Sequence, residues 1–423
     1  MRLASAVLLC LVFVVSAAWA QPSAAAEAGS GPKVYLLTMG PGRVIYERFG
    51  HNAIWIEDRR QGINPAFNYG VFDLGERGFI WRFLQGRMWY RLEAWDATSM
   101  LDAYKEENRS IWVQELNLTS RQRVALYRFL MWNNLPGNRA YRYDYYTDNC
   151  STRVRDALDA ALEKQISQQL MPQPAGTTYR WHTRRAMEYD PVMYTALDAV
   201  LGQPIDLPLS KWDECFLPME LQRHLRGVMV RDENGRLAPL VLSERTEFVS
   251  TTPPLPERPP DWRGWYLLMG IFLGGILAGL AHVAPRRRLA RWGLAVISAV
   301  VLFVIGFCGA FFAFAWLFTS HWATYRNENL LQASPLTLAL VVLFPAMAFG
   351  KLWGRRTAMV LAVAIGGISA LGLLLKVLPW FYQVNGSIIA LLLPVNLSVA
   401  WATWHLASQA PRQLKPIEQK GRR

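Results

Sequence analysis

The last third of the chain most limits what it can fold into. Five apolar runs follow one another: Trp262–Ala284, Trp292–Phe318, Leu336–Phe349, Ala358–Leu378 and Ile388–Leu406. Each is about as long as a bilayer core requires, the third only if extended at both ends. They predict an all-α transmembrane domain of five helices over residues 262–406. Basic clusters follow the first run (Arg286, Arg287, Arg288), the third (Lys351, Arg355, Arg356) and the fifth (Arg412, Lys415, Lys420, Arg422, Arg423). The positive-inside rule assigns all three to the cytoplasm, the last as a basic tail over 407–423, and the residues before 262 to the other side. Lys376, near the end of a run, is expected to snorkel.

The start of the chain agrees. Arg2, the apolar stretch Ala6–Val15 and the sequence Ala18-Trp19-Ala20 read as a secretory signal peptide over residues 1–20. Gln21–Pro32 reads as a flexible leader. The formal net charge of +13 then fits anionic lipid surfaces and the positive-inside rule rather than nucleic acid. The four cysteines, Cys10, Cys150, Cys215 and Cys308, do not make a disulfide scaffold. Cys150 and Cys215 are the pair that could bridge in the exported part.

Residues 33–165 read as a compact α/β domain. Strands are expected over 34–39, 53–57, 67–73 and 110–118, a helix over 97–108, and a further helix capped by Thr119. Residues 166–261 read as an extension that closes in the proline-rich linker 252–260, with a hairpin about Asn234-Gly235. Within it, Trp181–Arg185 reads as a solvated helix face. His182 and His224 lack metal-ligand spacing, so neither a metal nor another cofactor is expected.

One stretch, Tyr143–Asp156, carries the chemistry. The polar residues Thr147-Asp148-Asn149 are N-cap types, and Val154, Leu158, Ala161 and Leu162 follow at helical spacing. Cys150 should therefore sit in the first turn of a helix, where the dipole lowers a thiol's pKa. Cys150 is thus a nucleophile, a buried small hydrophobe or half of a disulfide. A nucleophile needs a base, and His51, between Gly50 and a predicted strand, is the candidate. A third polar group should orient the imidazole. Asn68 comes first, with Asp58, Tyr69 and Asp73 as alternatives. Asp148 and Asn149 are expected to shape the loop, with the Cys150 N–H as an oxyanion donor.

Phe49-Gly50-His51-Asn52-Ala53, Phe67-Asn68-Tyr69-Gly70, Asn108-Arg109, Leu116-Asn117-Leu118 and Tyr143-Asp144-Tyr145…Asp148-Asn149-Cys150-Ser151-Thr152 together resemble the periplasmic domain of the Lnb family, bacterial lipoprotein N-acyltransferases. The resemblance covers about residues 33–165. Its order, His first and Asn-Cys at a later helix start, also resembles permuted papain-like thiol enzymes of the lecithin:retinol acyltransferase type. It implies an α+β papain-like periplasmic domain ahead of the membrane helices, in the bacterial inner membrane. It implies an acyltransferase with a Cys150–His51 pair, a membrane phospholipid as acyl donor and a diacylglyceryl lipoprotein as acceptor. Two other classes stay open: a thiol hydrolase (lipase, amidase or peptidase), and a non-catalytic envelope sensor or scaffold.

The external loop 319–335 is the longest between the apolar runs and is dense in His, Asn and Glu. His321, Asn327, Glu328 and Asn329 are expected to form a floor to the site that binds a headgroup or the acceptor amine. An ordinary polar hairpin is the alternative.

Overall fold

A computed structural model describes residues 32–351 and 353–409. The expected signal peptide and the basic residues beyond 409 lie outside the described residues.

Among the described residues nine strands form: β1 (Lys33–Met39), β2 (His51–Glu57), β3 (Pro65–Val71), β4 (Trp89–Asp96), β5 (Ile111–Leu116), β6 (Ala140–Arg142), β7 (Met229–Arg231), β8 (Leu237–Pro239) and β9 (Val241–Phe248). Seven build one antiparallel sheet in the order β6-β4-β3-β2-β1-β5-β9, and β7 and β8 pair separately. The centre of the sheet is covered on both faces, which is why β1 and β2 read as near-continuous apolar runs rather than alternating ones. On one face Val34, Leu36, Ile54 and Ile56 pack with Val154 and Leu158 of the helix Cys150–Ala161. On the other, Tyr35, Leu37, Met39, Ala53 and Trp55 pack with Met100 and Leu101 of the helix Ala97–Glu106.

The extension is not a separate body. Its strand β9 pairs with β5, and Cys215, Leu221, Leu225, Val228 and Val230 join the core beneath the sheet. The strand escapes prediction because it is an edge, exposed and charged along Ser243–Glu247. The expected hairpin forms, with Asn234-Gly235 between β7 and β8. Trp181–Arg185 is not a solvated face. The helix Tyr179–Ala186 buries Arg180, His182 and Thr183, and Arg180 pairs with both Asp198 and Asp206 in the interior. Basic residues in a short helix look solvated in sequence because their acidic partners lie on other segments.

Among the described residues, four of the five expected spans form as helices of membrane-spanning length. Arg263–Val283, Arg288–Phe318, Arg355–Val377 and Gly386–Gln409 are long and apolar enough to cross a membrane, whereas the fifth apolar helix, Thr337–Ala348, has 12 residues and carries Pro345 inside it. Polar groups join these helices, as they do where lipid supplies no hydrophobic drive. Asn396 donates to the carbonyl of Gln332 and to Ser369.

Candidate active site

The pairing of β2 with β3 is confined to Ile54–Phe67 and Trp55–Ala66, and β3 shifts register against β4 between Asn68 and Val71. The ladder is therefore interrupted beside His51, the first residue of β2, and bulges of this kind re-aim side chains. Gly70 lies in the irregular stretch with a φ of +92°, and a Cβ there would stand 3.3 Å from the Cβ of Cys150. Glycine at this point gives the thiol helix room to come down on the sheet.

Asn149 caps that helix. Its Oδ1 accepts from the N–H groups of Ser151 and Thr152, and the Thr152 hydroxyl accepts the Asn149 N–H, an arrangement that typically stabilises a helix by about 1 kcal/mol. Its Nδ2 ties the loop to the carbonyls of Tyr145 and Phe216. Asp148 pairs with Arg153. Ser151 bonds Asn52 on β2 and the carbonyl of Cys215, and the Asn52 backbone N–H favours the thiolate of Cys150. The residue after His51 thus holds the nucleophile candidate in place.

The imidazole has a defined tautomer. Asn68 Nδ2 donates to the Ala66 carbonyl at 3.0 Å, so its Oδ1 is the atom facing His51 Nε2, at 3.2 Å. Nε2 must carry the proton, which leaves Nδ1 as the basic atom. The alternatives to Asn68 are engaged elsewhere. Tyr69 bonds Asn133, Asp58 accepts from the turn N–H groups of Arg60 and Gln61, and Asp73 caps Gly75.

Electrostatics correct one expectation. Burial pushes the Cys150 thiol up to about 11, against the lowering by the Asn52 and Ser151 N–H groups and Arg109. Burial and then the charge of Arg109 lower His51 to about 4. At rest the Cys150 thiol and the His51 imidazole, which line the same cavity, are both neutral, because loss of water outweighs the helix end. Cys150, Cys215 and Cys308 are free thiols. Cys215 donates to the Lys211 carbonyl, so the disulfide alternative is not what forms.

Cys150, His51 and Asn68 open into one cavity of about 1660 Å³, larger than the roughly 300–1,000 Å³ usual for small-molecule pockets. Its walls include Tyr143, Tyr145, Tyr104 and Arg109, and also Met269, Cys308, Phe311, Phe312, Phe314 and Ala315 of the helices Arg263–Val283 and Arg288–Phe318.

Residues 20–185 match the family model of the Lnb N-terminal periplasmic domain. No curated protein and no solved structure matches the chain. The matched stretch holds His51, Asn68, Arg109 and Cys150. Beside it stand, among the described residues, four helices of membrane-spanning length, and the two together point to a membrane protein with a periplasmic domain.

The external loop divides. His321 lines the cavity; its ring stacks on Tyr145 and its Nε2 donates to the Phe83 carbonyl at 2.8 Å. Asn327, Glu328 and Asn329 do not form a floor. Asn327 Nδ2 donates to the carbonyls of Ala199 and Val200, and Asn329 Nδ2 to that of Ala199. These are terminal carbonyls of the helix Pro191–Val200, which have no partner within the helix. Glu328 accepts from Gln203, the Gln383 N–H and Lys376. Lys376 therefore does not snorkel; Glu328 and the carbonyls of Phe381 and Gln383 hold it.

Sequence reasoning gave no role to Asn52, Arg109, Tyr104 or Trp322. Trp322 bonds Asp144 at 2.7 Å and so joins the membrane loop to the thiol loop. A buried Asn inside an apolar strand was the available signal for Asn52; Trp322 left none. Among the described residues, Glu214, Glu220 and His224 bring ligand-type atoms together. Their carboxylates already pair with Arg185 and Arg223, and His182 and His224 both bond Glu214, which leaves little negative charge for a cation.

Proposed function

We propose that the protein is an acyltransferase of the bacterial inner membrane. It moves an acyl chain from a membrane phospholipid, through a thioester on Cys150, to the N-terminal amine of a diacylglyceryl lipoprotein. The observation that carries this reading is the cavity, which runs without a break from Cys150 and His51 to the apolar faces of two membrane-length helices. A peptidase has no use for such a lining; a lipid tail does. The arrangement of a histidine on an inner strand and a later cysteine opening a helix against the sheet supports a permuted papain-like core. The match to the Lnb periplasmic domain points the same way.

Because the resting pair is neutral, proton transfer accompanies attack. His51 Nδ1 takes the thiol proton as Sγ adds to the ester carbonyl. Asn68 holds the ring, and the Cys150 N–H is positioned to receive the oxyanion. Collapse expels the lysophospholipid alkoxide, which takes the proton back from the imidazolium. The acceptor amine then attacks the thioester and gives a proton to His51, and the thiol leaves reprotonated. Water in place of the amine would make the same site a hydrolase.

The test is purified protein in phospholipid nanodiscs with and without a synthetic diacylglyceryl lipopeptide. The expected result is an N-acylated peptide and an equal amount of lysophospholipid. Free fatty acid with an unmodified amine would replace this reading with hydrolysis. No loss of phospholipid with a full complement of Cys150 thiol would reject both.

A further inference from the structure

Arg109 is a cation whose environment leaves it under-used. Asn108, in the left-handed region with φ 55°, ends the turn between the helix Ala97–Glu106 and β5 and sends the next side chain inward. Arg109 is 4% exposed. Its Nε donates to the Gly40 carbonyl at 2.9 Å, and its guanidinium lies 4.7 Å over the ring of Tyr104, which in turn stacks on His51. Its carboxylate contact, Glu107, is at 3.4 Å from Nη1 and half exposed. Nη2 is buried without any hydrogen-bond partner. The residue lines the cavity at the end that holds Cys150 and His51, and its charge is felt at both.

A buried guanidinium with a free N–H and one weak, solvated counterion is costly unless something anionic completes it. Among the described residues nothing does. The planar fork suits a phosphate oxygen pair better than any neutral group. In a glycerophospholipid the phosphodiester sits one glycerol backbone away from the acyl carbonyls. An anion at Arg109 and an ester at Cys150 are therefore compatible within one molecule. We propose that Arg109 is the headgroup-anion site, receiving the phosphodiester of a glycerophospholipid while its acyl ester faces Cys150. This deepens the transferase reading and rests on it for the position of the ester. It makes Arg109 a discriminator between anionic and neutral glycerolipids.

Binding in a protein that cannot turn over separates this proposal from the catalytic one. Cys150→Ala protein in a non-ionic detergent is titrated with short-chain phosphatidylglycerol, with the matching neutral diacylglycerol, and with inorganic phosphate. The phospholipid should bind about 10- to 100-fold more tightly than the diacylglycerol, the range of a charge-assisted hydrogen bond. Adding Arg109→Gln should remove that preference while leaving diacylglycerol affinity within about 3-fold, and Arg109→Lys should restore part of it. Equal affinity for the two lipids would overturn the proposal. So would an equal fall for both in Arg109→Gln, which marks a structural role. Inorganic phosphate binding as tightly as the phospholipid would make this a free-phosphate site and overturn the lipid assignment. Each of these outcomes leaves the Cys150 thioester to stand or fall on its own assay.

Discussion

Two polar clusters of the molecule behave in opposite ways. At the mouth of the cavity, Cys150, His51 and Arg109 keep bonding capacity in reserve: a thiol, a bare Nδ1 and an unpaired Nη2. In the external loop, Asn327, Glu328 and Asn329 are buried, and their bonds are spent on the helix Pro191–Val200, Lys376 and Gln383. What separates them is whether the groups end on a cavity or on other parts of the chain. The first cluster is built to meet something from outside; the second clamps the membrane helices to the domain above.

Substitutions should therefore split cleanly between activity and stability. Cys150→Ala should reduce acyl transfer by about 10³-fold or more while moving the unfolding free energy by less than about 1 kcal/mol. Transfer assays and thermal unfolding on one preparation check both halves. Glu328→Ala should do the reverse. It strands Lys376, and breaking a buried pair typically costs about 3–5 kcal/mol, so the unfolding temperature in detergent should drop sharply. A stable Glu328→Ala protein with lost activity would erase the contrast.

Asn68→Ala belongs with the first cluster at smaller size. Loss of the group that fixes a histidine tautomer costs about 10- to 100-fold in rate, read as kcat with KM little changed. The pH response is the finest test. The thiol is raised to about 11 and the imidazole lowered to about 4, so both groups are neutral between those values. Alkylation of lipid-free Cys150 by iodoacetamide needs thiolate and should rise about tenfold per pH unit from roughly pH 6 to 10. A preformed ion pair would instead give a fast rate already level at neutral pH.

The same contrast explains what could be read from the sequence. The thiol helix was legible because its signals are local: the N-cap Asn149, the periodic Val154 and Leu158, and a cysteine between them. His51 and Asn68 were legible as strand-end polar residues beside glycines. The apolar runs were legible by length, although the helix Thr337–Ala348 has only 12 residues and carries Pro345 inside it. The role of the loop residues was not legible, because the carbonyls they cap and the lysine that balances Glu328 come from segments far away in the chain. The neutral state of Cys150 and His51 was hidden for a related reason: a helix start advertises its dipole, while burial is set by the cavity walls. Arg109 stood in a matching dipeptide, yet only the fold shows that its last N–H is left over.

The most direct measurement is intact-mass spectrometry of the purified protein after incubation with a phospholipid of one defined acyl chain and no acceptor amine. A mass increase of one acyl group, localised to Cys150, released by neutral hydroxylamine and matched by lysophospholipid, is the predicted result. Acyl transfer continuing at the wild-type rate in Cys150→Ala, or an acyl group found on another residue, would contradict it.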